Sequence, residues 1–213
     1  MPMEIAIALY DGVTALDAVG PYEPLSRMPG WTTKFVAAEA GPKMSDTQSL
    51  ALVAAYSVDD VPSPDIVVIP GGEGSRRESG DELLDWIRAT HESTKWTTSV
   101  CTGSLLLGKA GVLEGLRATS HWVWLERLRD YGAEPTLERV IEQGKVITAA
   151  GVSSGIDMAL HLIQAEVGKE VAQAIQLSIE YDPQPPVDAG SPAKAPEHIV
   201  ELVRTHALQD ESA

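Results

Sequence analysis

Short runs of apolar residues that alternate with amphipathic stretches constrain this chain more than any other feature. "EIAIALY" (residues 4–10), "TKFVAAEA" (33–40), "DIVVIPGG" (65–72) and "KVITAAG" (145–151) read as strands, and the most continuously apolar of them fit a sheet buried on both faces. "GDELLDWIRATHEST" (80–94) has helical spacing and is followed at once by the strand-like "KWTTSVC" (95–101). "SLLLGKAGVL" (104–113) and "WVWLERLRDYG" (122–132) read as helices, and residues 154–181 as a long helical region broken near Gly168. "TALDAVGPYEPLSRM" (14–28) is helical in spacing, but Pro21 and Pro24 limit it to short pieces. The alternation predicts an α/β fold built on a mostly parallel sheet with helices on both faces.

A chain of 213 residues, 44% of them hydrophobic, suffices for one core, so a single domain over 1–213 is expected. No apolar run approaches the roughly 20 residues that cross a bilayer, and "MPMEIAIALYDG" lacks the basic flank and cleavage site of a secretory leader. One cysteine excludes an intrachain disulfide and a multi-thiolate zinc site; a free thiol suits a reducing compartment, and the expected location is the cytoplasm. Sixteen basic against 31 acidic side chains give a net charge of −15, which repels phosphate backbones and anionic lipid, so neither nucleic acid nor a membrane is an expected partner. The five histidines show no metal-ligand spacing, and no glycine-rich phosphate loop with a lysine is present. "YDPQPPVDAGSPAKAPE" (181–197) carries five prolines and predicts an extended tail before a C-terminal helix at 198–208. A tail this long wraps a surface or a second subunit more readily than it floats, and a homodimer is expected.

The only cysteine, Cys101, ends a strand where Thr102, Gly103 and Ser104 begin a helix. A tight strand-to-helix turn lifts a side chain out of the carboxyl edge of a sheet, where α/β folds bind ligands. The N–H groups and partial positive charge of the helix start predict a lowered thiol pKa. The residues alone leave a buried structural cysteine equally open. Gly71 and Gly72 end another strand, and with Thr102 they could supply backbone N–H groups to a developing anion. Asp17, flanked by Leu16, Ala18 and Val19, is a candidate acid and base with a pKa raised by burial, although capping the helix start would account for it as well. His121, in "SHW", fits a rim or core position; His161 falls on an apolar helical face and is expected to pack there.

"YDGVTALDAVGPYE", "DIVVIPGGEG", "TTSVCTGSLLLGKAGVLEGLRATSHW" and "GVSSGIDMAL" together resemble the ThiJ/PfpI superfamily, across nearly the whole chain. The resemblance implies a flavodoxin-like sheet with the cysteine as nucleophile at its elbow. Within that superfamily the elbow "SVCTGS" and above all the tail "IEYDPQPPVDAGSP" are most similar to the bacterial isocyanide hydratases. By position the resemblance assigns the nucleophile to Cys101, the acid and base to Asp17, and the backbone donors to Gly72 and Thr102. Thr102 stands where protease-like relatives carry histidine, which argues against a Cys-His peptidase. The implied reaction is addition of water to a small organic isocyanide, giving an N-formamide through a cysteine thioimidate with no cofactor. In it a Cys101 thiolate attacks and a protonated Asp17 supplies the proton. The competing expectations are a glyoxalase-like enzyme, a redox-sensing protein, and the ligand-sensing domain of a transcription regulator.

Overall fold

The computed structural model describes residues 2–76 and 81–210. In chain order the elements begin with β1 (Met3–Ala8), α1 (Ala15–Ser26), β2 (Trp31–Ala37), β3 (Gly41–Met44), β4 (Ala51–Ala54), β5 (Tyr56–Ser57) and β6 (Ile66–Ile69). They continue with α2 (Glu73–Arg76), α3 (Asp81–Ser93), β7 (Trp96–Val100), α4 (Gly103–Lys109), β8 (Arg117–Ala118) and a 3₁₀ helix, Leu125–Tyr131. Last come β9 (Glu134–Pro135), β10 (Val140–Gln143), β11 (Val146–Ala149), α5 (Ser154–Val167), α6 (Lys169–Ser178) and α7 (Glu197–Asp210).

Seven strands form one sheet in the order β10-β11-β7-β6-β1-β2-β5, flanked by two small two-stranded pairs, β3-β4 and β8-β9. Every neighbour in the large sheet is parallel except β10, which runs antiparallel to β11 at one edge. All four residues of β6 are buried, as a strand covered on both faces must be. From β1 the chain crosses to β2 on one side, and from β6 to β7 on the other. Right-handed crossovers therefore put α1 and α3 on opposite faces. Accordingly α1 packs with α5, and α5 with α6, while α3 packs with α4 and α4 with the 3₁₀ helix. The order reverses between β1 and β6, which opens a crevice at the carboxyl ends of the central strands.

Three elements depart from the expectation. Helix α1 is continuous through Pro21 and Pro24, where short pieces are expected. Its close packing explains this: a Cβ at Gly155 of α5 would sit 3.0 Å from Pro21 Cδ, so the helices meet nearly backbone to backbone and tertiary contact outweighs the missing donors. Within 122–132 a 3₁₀ helix, Leu125–Tyr131, stands in place of an α-helix, and the expected helix 104–113 ends early, at Lys109. The break at Gly168 is present, with φ of 98° between α5 and α6.

The chain divides into two compact units, Met1–Ile179, which holds the whole large sheet, and Glu180–Ala213. Within the second, residues 181–196 form neither helix nor strand, and α7 then covers Glu197–Asp210, against the 198–208 read from sequence.

Candidate active site

Three consecutive central strands deliver the sequence-selected residues to one place. Asp17 lies in the first turn of α1, after β1; Gly71 and Gly72 follow β6; Cys101 and Thr102 follow β7. Cys101 is in the left-handed region with φ of 57°, a conformation that costs an L-residue about 1–2 kcal/mol and that the surroundings must enforce. They do so from both sides of the residue. Its N–H donates to the carbonyls of Ala149 and Ala150, at 3.0 and 2.9 Å. Its carbonyl accepts the hydroxyls of Ser104 and Ser120, each at 3.1 Å. The glycine two positions on is obligatory, because a Cβ on Gly103 would run into the Ile69 carbonyl of β6.

Asp17 is wholly buried. The Gly71 N–H donates to Asp17 Oδ2 at 2.9 Å, while Oδ1 is buried without a partner in hydrogen-bond geometry. Burial raises its carboxyl to about 7, against the Gly71 N–H and the Cys101 thiol, which lower it, and with the Asp46 charge, which raises it further. Cys101 is 5% exposed. Burial, and after it the charge of Asp17, pushes its thiol well up; the backbone N–H groups of Val152 and Thr102 pull the other way. The lowered thiol pKa expected from the helix start is therefore not found. A partial charge at the end of a seven-residue helix is outweighed by loss of water around the sulfur. Cys101 and Asp17 are near enough for each to shift the other; below about pH 7 both are protonated, and above it they hold one proton between them.

The expected backbone donors are all present at this point, and each has a protein partner. Thr102 N–H is directed at the Cys101 sulfur, Gly71 N–H at Asp17, and Gly72 N–H at Thr102 Oγ1, 2.9 Å away. The Ser75 hydroxyl lies 2.8 Å from Thr102 Oγ1 and 2.7 Å from the Gly72 carbonyl, closing a small hydroxyl network behind the elbow. Gly71 admits no side chain: its Cβ would come within 2.5 Å of Thr102 N and 2.9 Å of Asp17 Oδ2.

Several contributors are not legible from sequence. Tyr10, two residues past β1, donates its hydroxyl to the Pro70 carbonyl at 2.6 Å and so pins the turn that carries Gly71 and Gly72. Burial first, then the charge of Asp17, holds its phenol well above the usual range. Ser75, Ser104 and Ser120 are further supports, and Val152 presents its N–H to the sulfur from a backbone with φ of 31°. Their common signal is position at the carboxyl edge of the sheet, which composition does not mark.

His121 is partly buried beside Gly151, where a Cβ would meet its Cδ2 at 2.8 Å, and Gly151 precedes Val152. Burial, then the Arg76 guanidinium, lowers its pKa, so it is neutral at pH 7. Trp124 is buried between the guanidinium groups of Arg76 and Arg127, at 4.6 and 4.8 Å from its ring centre. His161 does not pack in an apolar interior as expected; it is half-exposed, with Nε2 2.7 Å from Glu142 Oε2. Among the described residues no three of His, Cys, Asp and Glu gather as a metal cage.

Residues 3–165 match the DJ-1/PfpI family. An isonitrile hydratase from Pseudomonas putida is 41% identical over 208 residues, covering 97% of this chain and 91% of its own length. The crystal structure of a ThiJ/PfpI family protein from Pseudomonas syringae superimposes with a TM-score of 0.94 at 35% identity, over 98% of this chain and 87% of that one. The helix-turn-helix transcriptional regulator GbdR of Pseudomonas aeruginosa is 27% identical over 192 residues, so that the match covers 85% of this chain but 51% of the regulator.

Proposed function

The chain belongs to the DJ-1/PfpI family, and from that premise we propose that it is an isocyanide hydratase, a hydro-lyase that adds water to a small organic isocyanide. Isonitrile is a second name for the same functional group, and the near full-length identity with the Pseudomonas putida isonitrile hydratase is the observation that carries the reading. The buried pair Cys101 and Asp17 supports it chemically.

The terminal carbon of an isocyanide accepts a soft nucleophile and then a proton. In the first step Asp17 takes the Cys101 proton, the sulfur attacks that carbon, and Asp17 returns the proton to it, giving R–N=CH–S–Cys101. In the second, Asp17 accepts a proton from water as the water oxygen attacks the same carbon, and the imine nitrogen takes up the proton that Asp17 then holds. Collapse of R–NH–CH(OH)–S–Cys101 breaks the C–S bond, returns the hydroxyl proton to sulfur through Asp17, and releases R–NH–CHO. Nothing is oxidised or reduced, and the cycle as written needs no cofactor. Thr102 N–H, already on the sulfur, steadies its charge as the thiolate forms; Gly72 acts one step behind, holding the Thr102 hydroxyl.

The test is formamide formation from para-nitrophenyl isocyanide, with Cys101→Ala alongside. Turnover by the parent protein and none by the variant, together with a mass increase on Cys101 trapped at short times, is expected. Parental turnover by Cys101→Ala ends the mechanism. Turnover of methylglyoxal but not of the isocyanide replaces the substrate class.

The reading extends to a soluble cytoplasmic homodimer. Its support is that among the described residues no helix is long and apolar enough to cross a membrane, and that apolar side chains stand exposed on the Glu180–Ala213 unit, Val187 at 70% and Leu202 at 54% among them.

A further inference from the structure

The hairpin β3-β4 lies outside the main sheet yet is laced to the β1–α1 connection. Gly12 N–H donates to the Met44 carbonyl at 2.8 Å, Met44 N–H to Asp11 Oδ1 at 2.9 Å, and Asp46 N–H to the Val13 carbonyl at 3.0 Å. Asp46, partly buried, stands in the turn between the two strands. Its Oδ1 accepts the Thr47 N–H at 2.8 Å, an ordinary turn contact. Its Oδ2 accepts the Thr14 hydroxyl, which turn formation does not require.

Thr14 is a junction. Its N–H donates to the Gly71 carbonyl at 2.9 Å, and its own carbonyl accepts the Asp17 N–H at 3.0 Å. One threonine thus ties together the Asp46 carboxylate, the Gly71 residue whose N–H holds Asp17, and the backbone of Asp17.

We propose that Asp46 is a positioning residue for Asp17: through Thr14 it fixes the first turn of α1 against Gly71, and it sets a negative charge beside that turn. The proposal rests on the role given to Asp17 above. Its electrostatic consequence has a definite sign. A nearby negative charge disfavours a second one, and Asp46 raises the proton affinity of both Asp17 and Tyr10. The groups acting on Asp17 are Cys101, Asp46 and the Gly71 N–H, and Tyr10 is coupled to it in turn. On the elements packed against α1 the ionisable side chains pair elsewhere: Glu4 of β1 with Lys34 of β2, Asp157 of α5 with Arg139, His161 with Glu142, and Glu166 with Lys95.

Asp46→Asn keeps the shape and removes the charge. The measurement is the ionisation of Asp17 in the resting protein, followed by carbon NMR of aspartate-labelled carboxyls, with the resonance assigned by its loss in Asp17→Asn. The expected result is a lower titration midpoint in Asp46→Asn than in the parent, with the rising limb of kcat/KM against pH moved to lower pH by a matching amount. Thr14→Val, which cuts the tether but keeps the charge, is expected to hold the midpoint near the parent value while kcat falls. An unchanged midpoint in Asp46→Asn, or one that falls as far in Thr14→Val, overturns the proposal. The midpoint tests Asp46 without any turnover, whereas parental turnover by Asp17→Asn would remove the role of Asp17 itself, so the two failures are separable.

Discussion

At the level of single residues, the proposed chemistry turns on how Cys101 and Asp17 share a proton. Neither group is ionised by its surroundings; burial holds both toward the protonated form, and a nucleophile exists only after the pair has lost one proton. Asp17 titrates near 7, so kcat/KM for an isocyanide is expected to rise with pH through about 7 and then level off, which initial rates between pH 5 and pH 9 would read. The same burial has a price in stability. A carboxyl raised from about 4 in the unfolded chain to about 7 in the folded one favours folding fully only below the lower value, and that advantage is lost as pH rises through the upper. The difference corresponds to roughly 4 kcal/mol at most. Asp17→Asn is therefore expected to melt higher than the parent at pH 8, with the gap closing at pH 5, as thermal denaturation at the two pH values would show.

Among the elements, the tight turns after β6 and β7 matter most, because they press against each other with no room for a side chain. Gly71→Ala would drive a methyl group into Thr102 N and Asp17 Oδ2, and overpacking of this kind costs about 1–3 kcal/mol. The expected outcome is a lower midpoint in urea together with loss of turnover, since the two atoms displaced belong to the site. The turn after β6 was legible in the sequence because a parallel strand buried on both faces leaves a continuous apolar run, and "IVVIPGG" stops abruptly in glycines; "WTTSVC", with three polar residues, was legible instead from the amphipathic helix before it and the helix start at Gly103 after it. Other elements left no such mark. The β3 strand, "GPKM", holds a proline and no fully buried residue, so it has neither the alternation nor the apolar run that announces a strand. The junction of Asp46 with Thr14 spans 32 residues and depends on that hairpin, so no local pattern reveals it. The 3₁₀ segment has the spacing of an α-helix but ends in Gly132 with φ of 75°, and spacing does not tell a tight helix from an ordinary one. In α1 the prolines misled because local propensity was overruled by its contact with Gly155.

For the whole molecule, the proposed dimer is the nearest thing to test. Sedimentation equilibrium at micromolar concentration is expected to return the mass of two chains, and a single-chain mass would remove the homodimer from the proposal. The sheet order carries a further consequence. Asp17 and the Gly71 N–H that holds it are 54 positions apart, Gly72 and Thr102 are 30 apart, and each group follows a different strand. No fragment that stops before Thr102 contains the whole candidate set, and the carbonyls that secure the Cys101 amide arrive later still, on Ala149 and Ala150 at the end of β11. A chain emerging from the ribosome therefore carries an ordinary cysteine until its last central strand has docked: the pairing of thiol with carboxyl on which the proposed chemistry rests is acquired only at closure.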